Sequence, residues 1–412
     1  MNLLLDYLKI NNITKSHFEK ISKKSINQIR TLNNKSFEEM SIENINLIAK
    51  TVNKDRKEVI NELEILEKQH KDNNIGRYNL ENRRYIGNKT KLMHWIREII
   101  LKETKGKNFL DVFAGTGAVS RALLNDFDSI TLNDFLYSNE IIYKGFFSPD
   151  NYDGEKLKKI ATEFNESFIT YYDDTYFKDN YGGKFFSFND ARKIGEIRER
   201  IEKKDDLNNK EYAILVASLI YSADKCSNTV GHYDAYRKNV ELVDKFKFEL
   251  INPIKIYDTN INIYRKDANE LVKNITTDVV FIDPPYNSRQ YSRFYHVLEG
   301  LAKWNKPKLT GVAMKPPVEN MSEYSKSKAV EAFSDLISNL DSRYIVVIYN
   351  NTYESKSSSS RNKITHNQII DVLKERGKTK QFEKEYKYFN SGKTQFANHK
   401  EFLFITEVGK FD

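Results

Sequence analysis

The sequence predicts an α/β fold, with a small all-helical domain in front of it and one long insertion inside it. Three observations carry this reading. Apolar residues recur at helical spacing as far as Leu63. From about residue 83 the pattern changes to short apolar runs that end in loop signals. The first of those runs flows into a glycine turn and a helical pattern, Asp111-Val112-Phe113-Ala114-Gly115-Thr116-Gly117, the strand-loop-helix opening of a Rossmann-like sheet. A chain of 412 residues has room for two or three domains with buried cores.

Composition bounds the partners. Lys and Arg total 66 against 58 Asp and Glu, a net charge of +8 that favours a polyanionic partner, although an Asn/Lys/Ile-rich composition alone would also produce it. The single cysteine, Cys226, excludes an internal disulfide framework and a Cys-rich zinc site, and it suits a reducing cytosol. No metal-ligand cluster stands out, so no metal is expected. Residues 1–12 lack a basic start and a long apolar stretch, and no later run is apolar for the roughly 18 residues that a membrane helix needs. A cytoplasmic protein without membrane contact is expected.

In the helical part, Leu4, Tyr7 and Leu8 are followed by Phe18 and Ile21, then Ile26, Ile29 and Leu32, then Ile45 and Ile48, then Val59 and Ile60. Thr14 and Ser25 are placed to cap two short helices joined by a turn at 21–24, and Ser41 to cap a later one. Over residues 1–66 this pattern resembles the Cro/repressor-type helix-turn-helix. The resemblance implies a recognition helix over 25–33, with Asn27, Gln28 and Arg30 offered to base edges or phosphates. A helical cap or a dimerisation module is the competing reading. A charged stretch without an apolar period follows, and 67–82 reads as the linker.

Expected strands lie at 108–113, 129–132, 260–264, 278–282, 344–349 and 401–406. Residues 83–136 and 254–412 form the sheet domain, interrupted by an insertion over 137–253 rich in Tyr, Phe, Lys and Asn. An insertion of that length in a compact sheet is expected to be a separate functional layer.

Gly115 and Gly117 let the backbone approach a ligand at the first strand-to-helix turn, where nucleotide-like cofactors sit. Asp134 follows the second strand, where an acid holds ribose hydroxyls. An adenosine-containing cofactor is therefore expected, and a nicotinamide dinucleotide and S-adenosylmethionine both use this device. Ser120 stands where G-x-G-x-x-G has its third glycine.

The strand at 278–282 ends in Asp283-Pro284-Pro285-Tyr286, at the carboxyl edge of the sheet. Two prolines fix the chain and set Asp283 and the Pro284 carbonyl rigidly side by side. The amino nitrogen of adenine is a poor nucleophile because its lone pair is delocalised into the ring; two acceptors on its hydrogens draw it toward tetrahedral geometry. Tyr286 offers a face on which a flipped base can stack, worth about 1–3 kcal/mol. Methyl transfer from a sulfonium is an in-line displacement that positioning accelerates without a metal. An ordinary Pro-terminated strand is the bland alternative, made small by the glycine turn and Asp134 in the same chain order.

With these residues in view, the chain resembles the Dam-type, or alpha-group, adenine-specific DNA methyltransferases, and more closely the methylases of FokI-like restriction-modification systems. The likeness runs from Arg84 to the C-terminus. It implies a class I methyltransferase sheet, S-adenosylmethionine as cofactor, double-stranded DNA as substrate and a cognate restriction endonuclease as partner. Tyr85-Ile86-Gly87-Asn88-Lys89 resembles the family's motif for the methionine end of the cofactor, implying Tyr85 and Lys89 as contacts. Phe113, Gly115 and Gly117 match the F-x-G-x-G loop that Asp111 opens, Asp134 the ribose acid, Asp267 the acid at the cofactor adenine, and Asp283 to Tyr286 the catalytic motif, with Asp283 also facing the cofactor. Asn287-Ser288-Arg289-Gln290-Tyr291 extends the match, as do Tyr181-Gly182-Gly183-Lys184-Phe185-Phe186-Ser187 and the run from Asn228 to Tyr236. The insertion occupies the family's target-recognition position.

His232, Arg237, Lys238, Arg289, Arg361 and Lys363 are the further candidate DNA contacts. For His232 a hydrogen-bonded loop histidine is preferred to a base, because this chemistry needs none. Asn350 and Asn351 either line the base pocket or make a turn, and Ser357 to Ser360 form the one low-complexity patch. Two readings compete: an amino methyltransferase acting on cytosine, RNA or protein, and a DNA-binding regulator with a degenerate methylase domain.

Overall fold

The computed structural model describes residues 3–33, 35–72, 75–166, 175–256, 258–285, 287–352, 361–385 and 399–409. The chain divides into two compact units, residues 1–75 and 76–412.

The first unit is a bundle of five helices: α1 (Leu3–Ile10), α2 (Lys15–Ser22), α3 (Ile26–Asn33), α4 (Ile42–Val52) and α5 (Arg56–Asp72). One face of each closes on a shared core that includes Leu4, Phe18, Ile29, Ile48, Val59 and Leu63. The expected caps are in place. Thr14 accepts from the His17 N–H and Ser41 from the Asn44 N–H. Ser25 accepts from the Gln28 N–H at 3.3 Å while the Gln28 side chain accepts from the Ser25 N–H at 2.9 Å, a reciprocal capping box.

The expected linker over 67–82 spans the boundary between the two units and contains the end of α5. Val59, Leu63 and Leu66 are buried on one stripe and carry α5 on to Asp72, and Glu67 accepts from the Phe37 N–H. Farther on, Tyr78 and Leu80 are buried, and the Arg77 and Tyr78 N–H groups donate to the Leu250 carbonyl. Residues that read as a charged spacer therefore form helix on one side and docked chain on the other.

The second unit is built on a seven-stranded sheet: β1 (Asn108–Asp111), β2 (Ser129–Asn133), β3 (Asn260–Tyr264), β4 (Thr276–Ile282), β5 (Asp341–Asn350), β6 (Gly377–Glu385) and β7 (Lys400–Val408). The order is β3-β2-β1-β4-β5-β7-β6. The five strands β3 to β5 in this order run parallel, and β7 lies antiparallel to both neighbours. All six expected strands form; β1 stops at Asp111, two residues short of the expected 113. The seventh, β6, has no apolar period because it is an exposed edge whose pairing with β7 is made by the backbone.

Helices cover the sheet: α6 (Met93–Glu103), α7 (Ala118–Leu123), α8 (Tyr137–Phe147), α9 (Gly154–Glu166), α10 (Tyr176–Tyr181), α11 (Phe188–Glu202), α12 (Asn209–Cys226), α13 (Ala268–Val272), α14 (Tyr291–Phe294), α15 (His296–Lys303), α16 (Ala329–Ser338) and α17 (His366–Lys374). The insertion over 137–253 belongs to this same compact unit. Its first helix, α8, starts on Glu299, whose carboxylate accepts from the Tyr137 and Ser138 N–H groups, and its Tyr143 hydroxyl donates to the Gly115 carbonyl at 2.7 Å. Among the described residues no helix is long and apolar enough to cross a membrane.

Candidate active site

Chain order places the site. The strand order reverses between β1 and β4, and ligands of open α/β sheets bind at the carboxyl ends of the strands at such a point. A cleft open to solvent lies there and brings together Tyr85, Lys89, Phe113, Gly115, Asp134, Asp267 and Asp283. These positions span about two hundred residues of sequence.

The glycine turn has the conformation that its residues permit. Gly115 has φ +56° and Gly117 φ +75°, and a Cβ on Gly117 would stand 3.2 Å from the Phe147 ring. The Gly115 N–H donates to Asp134 Oδ2 at 3.0 Å, and the Leu136 N–H to Asp134 Oδ1 at 2.9 Å. Asp134 thus clamps the turn as well as lining the cleft. Burial holds its carboxyl above the usual range, although both N–H bonds favour the charged form.

Ser120 explains the missing third glycine. Its hydroxyl donates to Asp111 Oδ2 at 2.8 Å in the buried base of the turn. The other oxygen of Asp111 has no hydrogen-bond partner among the described residues. Burial pushes this carboxyl up to about 7, against the pull of Ser120. An acid-rich cleft with an unmet acceptor fits a cationic ligand carrying an amino group, which S-adenosylmethionine is.

Asp267 caps α13, its Oδ1 accepting from the Asn269 N–H at 2.9 Å, and its exposed side chain lines the cleft. Asn133 sets the height of that loop: its amide donates to the Val112 and Lys266 carbonyls and its oxygen accepts from the Lys266 N–H. Phe113 meets Tyr324 edge to face at 5.0 Å.

The segment from Tyr85 to Lys89 is pinned by the stretch that follows the tetrapeptide. Tyr85 stacks on Tyr295 at 4.9 Å, the Ile86 N–H donates to the Tyr295 hydroxyl, and the Tyr291 hydroxyl donates to the Ile86 carbonyl. Lys89 is buried and lies 3.2 Å from Asp283 Oδ1. Rather than standing apart from the tetrapeptide, Lys89 is the counter-ion of its acid. Pro284 and Pro285 line the cleft, and Gln290 grips the Ser322 backbone through both ends of its amide. Tyr286 lies outside the described residues.

The two insertion motifs pack on each other. Phe185 contacts Tyr233 and Tyr236, and the Asn228 amide donates to the Lys184 and Arg237 carbonyls. Tyr233 donates to Asp224, which also pairs with Arg84, next to Tyr85. His232 is half-buried, stacks on Phe294 at 4.6 Å and accepts from the Asp234 N–H; burial pushes its pKa down. Arg289 lies over the same Phe294 ring at 5.6 Å.

Other candidates are dispersed. Arg237 and Lys238 are exposed beyond the Tyr236 turn, Arg361 and Lys363 are exposed before α17, and Ser357 to Ser360 lie outside the described residues. Asn350 and Asn351 make the turn: Asn350 accepts from Thr352 and Asn362, and Asn351 from the Lys400 N–H. In the first unit Asn27 and Gln28 are exposed, the Gln28 side-chain oxygen accepting from the Ser25 N–H, and Arg30 is half-buried.

Comparison with known proteins agrees with this geometry. The family model of D12 class N6 adenine-specific DNA methyltransferases matches residues 85–362. The chain is 34% identical over 294 residues to the modification methylase StsI of Streptococcus sanguinis, covering 65% of this chain and 44% of that one. It is 31% identical over 316 residues to the type II methyltransferase M.FokI of Planomicrobium okeanokoites, covering 71% and 47%. The type II methyltransferase M.NlaIII of Neisseria lactamica is 29% identical over 341 residues, covering 78% and 98%. The chain thus spans less than half the length of the first two and nearly all of the third. The matched region holds the glycine turn, its clamp Asp134 and the Lys89–Asp283 pair, and the chain belongs to the D12 class of N6 adenine-specific DNA methyltransferases.

Proposed function

We propose that this protein transfers a methyl group from S-adenosylmethionine to the 6-amino group of a flipped adenine in double-stranded DNA, as the modification component of a type II restriction-modification system with a cognate endonuclease. One observation carries the reading: a single cleft joins the glycine turn to Asp283 of the tetrapeptide, with Lys89 between sequence motifs as the acid's counter-ion. The names of the relatives support the restriction-modification setting.

When bound, S-adenosylmethionine supplies an electrophilic methyl on a positively charged sulfur. Asp111, with its open oxygen, is placed to accept from the amino group at the methionine end; Asp134 and Asp267 line the places for the ribose and the adenine. The ion pair with Lys89 is the arrangement of a carboxylate, and a carboxylate accepts from an amine hydrogen. Asp283 and the Pro284 carbonyl then draw the amino nitrogen toward tetrahedral geometry, and Tyr286 stacks on the base. Tyr85, braced by Tyr291 and Tyr295, walls the cleft beside Gly115 and limits water at the transferring group. His232 and Arg289 stand beside the tetrapeptide's extension, where DNA flanking the flipped base passes. The helical unit, with α2 and α3 as a helix-turn-helix, adds contacts to the duplex.

Labelled S-adenosylmethionine and unmethylated duplex DNA test this, with modified bases mapped by sequencing. Label at adenine N6 within one short sequence is expected, whereas label in cytosine, RNA or protein would sink the assignment. The same assay on a chain starting at Gly76 tests the helical unit: weaker DNA binding with unchanged cofactor affinity is expected, and undiminished DNA affinity would remove its role.

A further inference from the structure

The chain that leaves α15 comes back to the cleft and is bonded to three of its sides. Asn320, with φ +49°, donates from its amide to the Phe135 carbonyl at 2.9 Å, next to Asp134. Tyr324 donates to Asn269 Oδ1 at 2.8 Å, and the N–H of that same Asn269 donates to Asp267. Between them, Gln290 holds Ser322: the Ser322 N–H donates to Gln290 Oε1 at 2.8 Å, and the Ser322 carbonyl accepts from Gln290 Nε2 at 2.9 Å. Ser325 Oγ donates to the Arg289 carbonyl at 3.1 Å. Asn320, Ser322, Tyr324 and Gln290 all line the cleft. One short stretch thus joins the turn after β2, the cap of α13 and the extension of the tetrapeptide.

Gln290 is buried, and its backbone is committed as well as its side chain. Its carbonyl accepts from the Arg293 and Phe294 N–H groups and starts α14, whose Tyr291 hydroxyl reaches the Ile86 carbonyl. It stands seven residues after Asp283. Strand β4 fixes the near end of that catalytic loop, and Gln290 fixes its far end. An amide that gives its oxygen to the N–H and its NH2 to the carbonyl of one residue sets both position and orientation, as a rung of an antiparallel sheet does. Apolar contact has no such direction.

We propose that Gln290 is a positioning residue for methyl transfer: through Ser322 and Tyr324 it ties the catalytic loop to the cofactor side of the cleft and so fixes the distance from target amino group to methyl donor. This rests on the reading of the cleft as a methyl-transfer site. In-line displacement needs the reacting atoms about 3–3.5 Å apart, and a misplacement of about 1 Å costs roughly a hundredfold in rate. Tyr324 anchors the other end of the tie, where its hydroxyl is spent on Asn269 beside the Asp267 cap.

The test uses the full chain as wild type, Gln290→Leu, Tyr324→Phe and the double variant. Single-turnover transfer is measured at saturating S-adenosylmethionine and adenine-containing duplex DNA, and cofactor affinity by equilibrium dialysis. Gln290→Leu, which keeps the bulk and removes both bonds, is expected to slow transfer about tenfold or more at a cofactor affinity within about threefold of wild type. Tyr324→Phe removes only the hold on Asn269 and should slow transfer about fivefold, again with little change in affinity. Both substitutions break one tie, so the double variant should be within about twofold of Gln290→Leu. A wild-type rate in Gln290→Leu overturns the proposal, as does a double variant whose losses multiply. Should Gln290→Leu fail to fold, Ser322→Pro breaks the same tie from the other chain, since proline suits the φ of −71° there and removes the N–H. A wild-type rate in that variant overturns the proposal equally, whereas a wild type that transfers no methyl to DNA overturns the underlying function instead.

Discussion

Buried polar groups behave differently in the helical unit and around the cleft. In the helical unit they close on backbone: Asn33 accepts from the Leu5 N–H, Thr51 donates to the Leu47 carbonyl, and Glu67 accepts from the Phe37 N–H. Around the cleft Asn133 and Asp134 do the same, but Lys89 closes on Asp283 and Ser120 on Asp111, and one oxygen of Asp111 has no partner among the described residues. Burial that ends on a main-chain partner staples elements together. Burial left open at the carboxyl edge of a sheet keeps desolvated charge ready for a ligand, and that is where function concentrates.

Three substitutions break or sharpen this contrast. The largest effect is expected from Asp283→Ala, which should lower transfer about a thousandfold while leaving cofactor affinity and the unfolding of the helical unit nearly unchanged. Unchanged turnover would remove Asp283 from the chemistry. Next, Leu63→Ala opens a cavity in a fully buried part of the helical core and should destabilise that unit by about 2–5 kcal/mol, read by denaturant unfolding. S-adenosylmethionine affinity should not follow, and a parallel loss would show that the two units do not behave as separate cores. Smallest is Thr14→Ala, which removes the cap on the His17 N–H and should cost about 1 kcal/mol of helical-unit stability, visible as earlier loss of far-ultraviolet helix signal. A change in transfer rate of similar size would contradict a purely architectural role.

Legibility followed the same divide. Thr14 and Ser41 were readable as caps, and six strands as apolar runs, because these signals are local. Strand β6 was not, since its partner on β7 supplies the pattern that its own side chains lack. Within the charged stretch that opens at Glu67, the backbone continues as helix α5 to Asp72, which no apolar period announced. Ser120 looked like a departure from a glycine motif, and only its contact with Asp111 gives it a reason.

By itself the sequence determined the element types, the glycine turn and the tetrapeptide with its prolines, because backbone stiffness, periodicity and φ > 0 are properties of short runs. Tertiary structure decided which charges meet. Lys89 comes from a loop ahead of the sheet and Asp283 from the residue after β4, and the fold sets them in one cleft. Charge coupling depends on distance and on the exclusion of water, and neither is written in sequence spacing.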